Sequence, residues 1–571
     1  MSRLVADVIV DVLRQAGVKR CYGIPGDTLN HICGSIQRSD LRWIRVRHEE
    51  AGAFAAGADA QLTGELTACA GSCGPGSLHF INGLADANRN GAPVVLIASQ
   101  IVRDELGFDF PQELDFKALY SSLSVYCDEI RTPEQAQRKT VLACQAAINE
   151  RGVAVLVVPT DVSRSHAEDQ HFAVHRARPV TLPSENELDR IATLLNEGGR
   201  ISIYGGVGCE HAHDQVVALA RHLKAPITRT SRAKDFLDYD NPCDVGMTGV
   251  LGVKSGYEAV LKCDTLLLLG CGFAWRQFYP DHAKIIQIDM KARNLGLRHP
   301  ITFGAVGDIG PTIEALLPQL HERTDSSFLD QMLAVKEKAF VKQDAPAHDL
   351  HSGKPMHPQF MVETIAQHAD PNAIWAPDDG SPVVFCPRHV AATGHNRTIA
   401  SYRHGTMAGG LSSALGAKAA FPDRQVIAVC GDGGLAMLMG DLITAVQERL
   451  PIKVAVLNNG SLGFVELEQH VEGMMSAYTD LQNPDFSKVA EAVGYWGQRV
   501  ERAEDLDEAV KEWLAQPGPA LLDVITSRYE LIMPPAAGVE QAFGMALYSM
   551  RAVLAGHTSE LVEMAKQNFI T

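Results

Sequence analysis

From Gln425 to Phe464 the chain alternates an apolar run, a glycine turn, a stretch of helical periodicity and a second apolar run. Residues 426–429 read as a buried strand, closed by Gly431-Asp432-Gly433-Gly434. Leu435, Leu438, Met439, Leu442, Ile443 and Val446 recur at three- and four-residue spacing, which predicts one helix ending at Leu450-Pro451. Residues 452–457 predict the next strand, which delivers Asn458-Asn459-Gly460. A helix joining two parallel strands brings both turns to one sheet edge, so Asp432 and Asn459 are expected to meet there.

Elsewhere the pattern repeats. Leu4, Val5, Val8, Ile9, Val12 and Leu13 fall on one helix face, and Asp7 and Asp11 interrupt the run in a way that does not fit a secretion signal. Residues 1–165 alternate helix and strand up to a buried-type strand at 153–158, predicting a parallel sheet covered by helices. A polar, basic stretch after Asp161 reads as a linker, and Ser184 with Glu187 gives a capping box that opens a second α/β unit over 184–320. Its predicted strands at 201–204, 265–269 and 284–288 end in glycine turns or in Asp289. Such ends suit a dinucleotide's pyrophosphate and ribose, and equally suit ordinary turns.

Residues 321–356, charged, read as a second linker, and 357–530 form the third unit. A small-residue run through Leu415-Gly416-Ala417 there suits a helix packed closely on a neighbour. In 531–571, Pro534-Pro535 breaks the chain and Phe543, Leu547, Met550 and Leu554 mark one face of a short helix. The expected fold is α/β: three doubly wound parallel-sheet domains with a short helical C-terminal tail.

The length of 571 residues accommodates about three to four such domains. A net charge of −17 with no basic run speaks against nucleic acid and anionic lipid as partners. Twelve scattered cysteines without a CxxC pair fit reduced thiols in a cytoplasmic protein, and Cys73, in a glycine loop, reads as a small, partly buried filler or else a reactive thiol. No segment approaches the roughly twenty apolar residues of a membrane span.

The turns after the two opening strands carry candidate chemistry. Glycines allow close backbone approach, and hard oxygen donors suit magnesium. Asp432, the Asn459 side-chain oxygen and the Ser461 carbonyl are therefore candidate ligands of a divalent ion that anchors a diphosphate.

GDGG, a helix and a strand ending in NN resemble the thiamine-diphosphate signature. Over nearly its full length, through RHEEAGAFAAGADAQLTGEL, AGSCGPG, DNPCDVGMTGVLG, AKIIQID and CGDGGLAMLMGDL, the chain resembles the pyruvate oxidase branch of those enzymes. The resemblance is densest to its bacterial quinone-dependent, acetate-forming flavoproteins. It implies a pyrimidine-binding domain (1–165), a central FAD domain (184–320) and a diphosphate domain (357–530). It also implies thiamine diphosphate, Mg2+ and FAD as cofactors. Active sites are then shared between subunits of a homo-oligomer, commonly a tetramer.

The implied activity is oxidative decarboxylation of pyruvate to acetate and carbon dioxide, with electrons passing through FAD to a membrane quinone. Glu49 is implied as the carboxyl group that protonates the coenzyme's pyrimidine ring; a Glu in an apolar crevice is able to hold that proton. Its neighbour Glu50 reads as structural. Phe464 and Gln112 are implied at the reaction centre. Gly405, Thr406, Met407, Gly433, Gly434 and the loop Asn459, Gly460, Ser461, Leu462, Gly463, Phe464 are implied around the coenzyme, Met407 folding its rings together. Thr248, Gly249, Val250, Leu251, Cys271, Gly272, Phe273, Ala274, Trp275 and Asp289 are implied for FAD. The tail helix is implied to bind lipid, which would place a cytoplasmic protein on the inner face of the cell membrane; its residues read equally as a terminal helix packed on the core.

Pro111, Ser77 and Glu466 depart from the family pattern, and a carboxylate at 466 would repel a 2-oxo acid if it faced the pocket. Two rival enzymes use the same cofactors: an acetohydroxyacid-synthase-like carboligase with structural FAD, and an oxidase that passes electrons to oxygen. A non-catalytic relative would lack Glu49, Asp432 or Asn459, and all three are present.

Overall fold

Three six-stranded sheets, each with every adjacent strand pair parallel, form the framework of this computed structural model. It describes residues 3–168, 170–273, 275–347, 356–528 and 539–554, with Leu561, Val562 and Met564. In spatial order the first sheet runs Arg42–Arg45, Arg20–Gly23, Thr67–Gly71, Val94–Gln100, Val153–Pro159 and Tyr126–Glu129. The central sheet runs Asp244–Met247, Ile227–Arg229, Ile201–Gly205, Thr265–Leu269, Lys284–Asp289 and Phe303–Val306. The third runs Arg397–Thr398, Ile374–Pro377, Val426–Gly431, Lys453–Asn458, Ala520–Ile525 and Trp496–Val500. The inner strands are mostly apolar and buried along their whole length, as parallel sheets with helices on either side require.

One hydrophobic core passes through both outer modules, from Tyr22, Ala55 and Phe80 to Leu411, Leu415 and Val454. Its seam is the packing of helix Glu49–Thr63 on helix Gly409–Ala420. A Cβ on Gly416 would lie 2.0 Å from the Ala55 carbonyl oxygen, so the small-residue run is what lets these helices touch. Gly416→Ala is expected to cost about 1–3 kcal/mol by forcing them apart. Urea unfolding measures this, and an unchanged midpoint would contradict the packing.

Several sequence expectations need correction. The charged stretch read as a linker holds the helix Ser327–Ala347, anchored on the central module by buried Phe328, Leu329 and Met332. Three apolar residues suffice for docking, and the surrounding charges hide them. After Asp161, His166–Ala167 pairs antiparallel with Arg3–Leu4. The single helix expected after Gly434 is two, Asp432–Met437 and Leu442–Glu448, separated by a 3-10 turn at Met439–Asp441. That break shifts the register and leaves Ile443 exposed.

Helix Val539–Leu554 docks through Tyr548 and Ala552, with Tyr548 stacked on His470 at 3.8 Å. Met550 and Leu554, on the face read as apolar, are exposed. The side chain of Phe543 and the Pro534-Pro535 break lie outside the described residues. Among the described residues no helix is long and apolar enough to cross a membrane.

Candidate active site

Val426–Gly431 and Lys453–Asn458 are neighbours, and the turns that follow them meet. Asp432 accepts the Gly433 N–H through Oδ1 and the Gly460 N–H through Oδ2, each at 2.8 Å. Asn459 Oδ1 accepts the Ser461 N–H at 2.9 Å, which curls the loop toward Asp432. Asn483, which sequence reasoning missed, donates to Asp432 Oδ2 at 2.7 Å and to Asn458 Oδ1 at 3.0 Å. Burial raises the Asp432 pKa, opposed by the N–H groups of Gly433, Gly460 and Asn483. A divalent cation would restore the carboxylate. Among the described residues no three His, Cys, Asp or Glu side chains cluster as metal ligands. The candidate donors, a carboxylate, an amide oxygen and a carbonyl, would fit magnesium completed by phosphate and water.

Beneath this loop lies Asp378, another residue the sequence did not single out. Fully buried at the end of Ile374–Pro377, it accepts the N–H groups of Asp379 at 3.0 Å and of Ala408 and Gly410 at 3.2 Å. A Cβ on Gly434 would sit 2.1 Å from its Oδ2, so this carboxyl group joins the 405–410 turn to the GDGG turn. Met407 Cε lies 3.4 Å from where a Cβ on Gly433 would be, which brings Met407, Gly433 and Leu462 together.

Burial pushes the Asp378 pKa up to about 7, and the three N–H groups act against it. The folded chain therefore keeps a proton that the unfolded chain has released between about pH 4 and 7, so this group's contribution to stability falls as pH rises through that window. In Asp378→Asn the thermal midpoint of the cofactor-free chain is expected to depend less on pH from 5 to 8. Parallel curves would contradict this.

Glu49 is the first residue of helix Glu49–Thr63 and is 7% exposed. Its Oε2 lies 2.9 Å from His79 Nδ1, and the His79 ring stacks on His48. Glu50 turns elsewhere, accepting from Asn82 Nδ2 at 2.6 Å, and the same nitrogen donates to Thr406 Oγ1 at 3.0 Å. That pair of bonds ties the 405–407 turn to the start of the Glu49 helix. Gln112 is exposed, in a left-handed conformation with φ 70°, and its Oε1 accepts from Cys73 Sγ at 3.2 Å. Cys73 itself is buried. Phe464 packs partly buried against the third module's core.

Of the three departures, none confronts the pocket as a bare charge. Glu466 is buried: Oε2 accepts from Ser461 Oγ at 2.6 Å, and Oε1 from Ser476 Oγ at 2.7 Å and Arg528 Nη2 at 3.2 Å. Although burial acts the other way, these hydrogen bonds hold its pKa below the ordinary range. The expectation of a repelling carboxylate at the mouth is thus corrected, because Glu466 braces the Ser461 loop from behind. Ser77 donates to the Gly71 carbonyl at 2.9 Å, and Pro111 is exposed.

In the central module the 248–251 turn meets Phe273 and Trp275. A Cβ on Gly249 would lie 3.0 Å from Phe273 and 3.6 Å from Trp275, and the buried Thr248 Oγ1 has no hydrogen-bond partner among the described residues. Val250 packs against the same cluster as Cys271 and Phe273. Ala274 lies outside the described residues, and among those described Gly272 has no non-neighbouring atom within 4 Å of an added Cβ. Asp289, at its strand end, accepts from the Lys291 N–H at 2.8 Å and Asn294 Nδ2 at 2.9 Å.

Close by, the fold assembles what the sequence keeps apart. Arg232 donates to the Asn90 carbonyl at 3.0 Å, Arg403 to Arg89 at 2.7 Å and Lys291 to Glu150 at 3.5 Å. Burial, then repulsion from Arg293 and Arg151, lowers the Lys291 pKa; burial, then repulsion from Arg89, Arg298 and Arg293, does the same for Arg403. A local basic junction thus exists in an acidic chain.

Comparison with known proteins accords with this geometry. Residues 3–119 match the thiamine pyrophosphate enzyme N-terminal TPP binding domain, 188–316 the central domain and 378–524 the C-terminal TPP binding domain. The putative thiamine pyrophosphate-containing protein YdaP of Bacillus subtilis is 33% identical over 98% of this chain and 97% of its own length. Pyruvate oxidase of Lactiplantibacillus plantarum is 31% identical over 91% of this chain and 88% of its own. Acetolactate synthase isozyme 2 large subunit of Escherichia coli is 28% identical over 93% and 96%. Three matched domains in order on three parallel sheets, together with full-length likeness to a pyruvate oxidase, make this chain a thiamine pyrophosphate enzyme of the pyruvate oxidase family.

Proposed function

We propose that the chain oxidatively decarboxylates pyruvate to acetate and carbon dioxide, using thiamine diphosphate, Mg2+ and FAD and delivering electrons to a membrane quinone. The observation that carries this reading is the closure of the Asn459–Gly460–Ser461 loop on Asp432, seen in the 2.8 Å bond from Gly460. Residues 1–165 bind the pyrimidine, 184–320 FAD and 357–530 the diphosphate.

When bound, the thiamine group supplies a nucleophilic carbon and an electron sink for decarboxylation. Asp432, Asn459 and the Ser461 carbonyl would hold the ion, Gly433 and Gly434 admit the diphosphate, and Met407 orients the rings. Glu49 holds and shares a proton at the pyrimidine nitrogen, in reach of His79. Phe464 and Gln112 bound the substrate region. The orphaned Thr248 Oγ1, the 248–251 turn, the 271–275 segment, Asp289 and the basic junction support FAD in the central module. The inward turn of Glu466 supports pyruvate, since no carboxylate from that position confronts an anionic substrate.

Large apolar side chains flank both half-sites and are exposed in the single chain: Phe108 and Phe110 near Gln112, Met437 after Gly434, Val465 beside Phe464, and Tyr478. Their exposure in the single chain supports a homo-oligomer with shared sites, a dimer at least and a tetramer on the family's pattern. Exposed Met550, Val553 and Leu554 support lipid contact by the terminal helix, while Arg551 is engaged by the Gly473 carbonyl at 2.7 Å.

The test is anaerobic mixing with pyruvate while flavin absorbance is followed. Bleaching that requires thiamine diphosphate and Mg2+, with acetate formed and reoxidation by quinone, is expected. Unbleached flavin with acetolactate formed would replace this reading by the carboligase, and reoxidation by oxygen alone would replace it by the oxidase.

A further inference from the structure

A cavity of about 250 Å3 opens between the edge strand Asp244–Met247, the helix Ser327–Ala347 and the helix Ser381–His389. Arg229, Lys336, Arg388 and His389 line it, with Asp238 and Glu363. Arg229 is 5% exposed and pairs with Asp238 and, through Nε at 3.2 Å, with Asp244, yet its Nη1 makes no hydrogen bond among the described residues. Lys336 holds the other Asp244 oxygen at 2.6 Å, and Lys234 holds Asp238 at 2.6 Å. Three cations therefore share two carboxylates.

Arg388 adds a fourth cation. Its Nε and Nη2 donate to the carbonyl oxygens of Leu251 at 3.1 Å and Gly252 at 3.0 Å, and no carboxylate pairs with it among the described residues. The third acid, Glu363, is taken by His389 at 2.8 Å. Among the described residues Arg388 is thus a cation with no carboxylate of its own, within a chain of net charge −17. Buried donors without acceptors are costly and rare in native interiors, and guanidinium forks match the paired oxygens of carboxylates and phosphates.

We propose that this cavity binds a small oxyanion, a carboxylate or inorganic phosphate, between Arg229 Nη1, Lys336 and Arg388, at the seam of the central and third modules. The volume takes a small acid with water and is too small for a drug-sized ligand. Arg388 also carries the turn at Leu251 and Gly252, so the anion and that turn share one side chain. The site adjoins the 248–251 turn proposed for FAD but contains none of the residues proposed to hold the thiamine group, and it stands without the function proposed above.

Titration calorimetry on the full chain, loaded with thiamine diphosphate, Mg2+ and FAD in chloride-free buffer, tests it with inorganic phosphate in one arm and acetate in the other. At least one arm is expected to show saturable binding at one site per chain, weakened about tenfold or more in Lys336→Gln and in Arg388→Gln. The arm that binds identifies the anion's chemistry. Lys336 is partly exposed on an outer helix, so its variant keeps the test open if Arg388→Gln does not fold. No saturable binding in either arm, or binding that Lys336→Gln leaves unchanged, overturns the proposal.

Discussion

Glu49→Gln is expected to lower turnover about 10²–10⁴-fold while leaving the fold intact. Gln fills the same volume at the start of helix Glu49–Thr63 and still reaches His79, 2.9 Å away in the native chain, but it has no acidic proton to share with a ring nitrogen. The loss therefore falls on coenzyme activation. Exchange of the coenzyme's thiazolium proton into deuterated water reads this step directly: fast in the native holoenzyme, slow in Glu49→Gln. Glu50→Gln is the control, because Glu50 is directed at Asn82 and serves the fold. Wild-type exchange in Glu49→Gln would remove Glu49 from the chemistry.

Asp432→Ala is expected to weaken magnesium-dependent binding of thiamine diphosphate by about a hundredfold or more. Changing a residue that merely orients a metal ligand typically costs 10–100-fold, and Asp432 is a proposed ligand as well as the acceptor for Gly460 and Asn483. Without it the 459–461 loop loses the bond that closes it. Asn483→Ala, which removes only the orienting amide, should fall within about 10–100-fold. Quenching of intrinsic fluorescence by the coenzyme, with and without Mg2+, measures both. Unchanged affinity and metal dependence in Asp432→Ala would place the diphosphate elsewhere.

Much of the candidate site was legible because its parts are contiguous. A strand, a glycine turn, a helical stretch and a second strand force Asp432 and the Asn459 loop to one sheet edge, and the Gly460 bond is the outcome. Glu49 was legible only through resemblance, since a single Glu at a helix start has no spacing signature. Asp378 and Asn483 carry no local signal at all: their partners come from turns far along the chain. Single-sequence periodicity also failed where a few contacts decide the outcome. Phe328, Leu329 and Met332 dock a helix whose composition looks like a linker, and Tyr548 against His470 selects a helix face other than the one carrying Met550 and Leu554. Charge ran the same way, for the basic junction comes from residues scattered from Arg89 to Arg403.

The central claim is that Glu49 of one subunit and the Asp432–Asn459–Ser461 loop of another serve the same coenzyme. Mixing Glu49→Gln and Asp432→Ala chains, dissociating them and letting them reassemble tests it most directly. Half of randomly formed dimers are mixed, and each holds one site with both native residues, so about a quarter of native activity should return from two inactive parents. Activity that stays at the level of the parents, in mixtures shown to have exchanged subunits, would contradict the shared site.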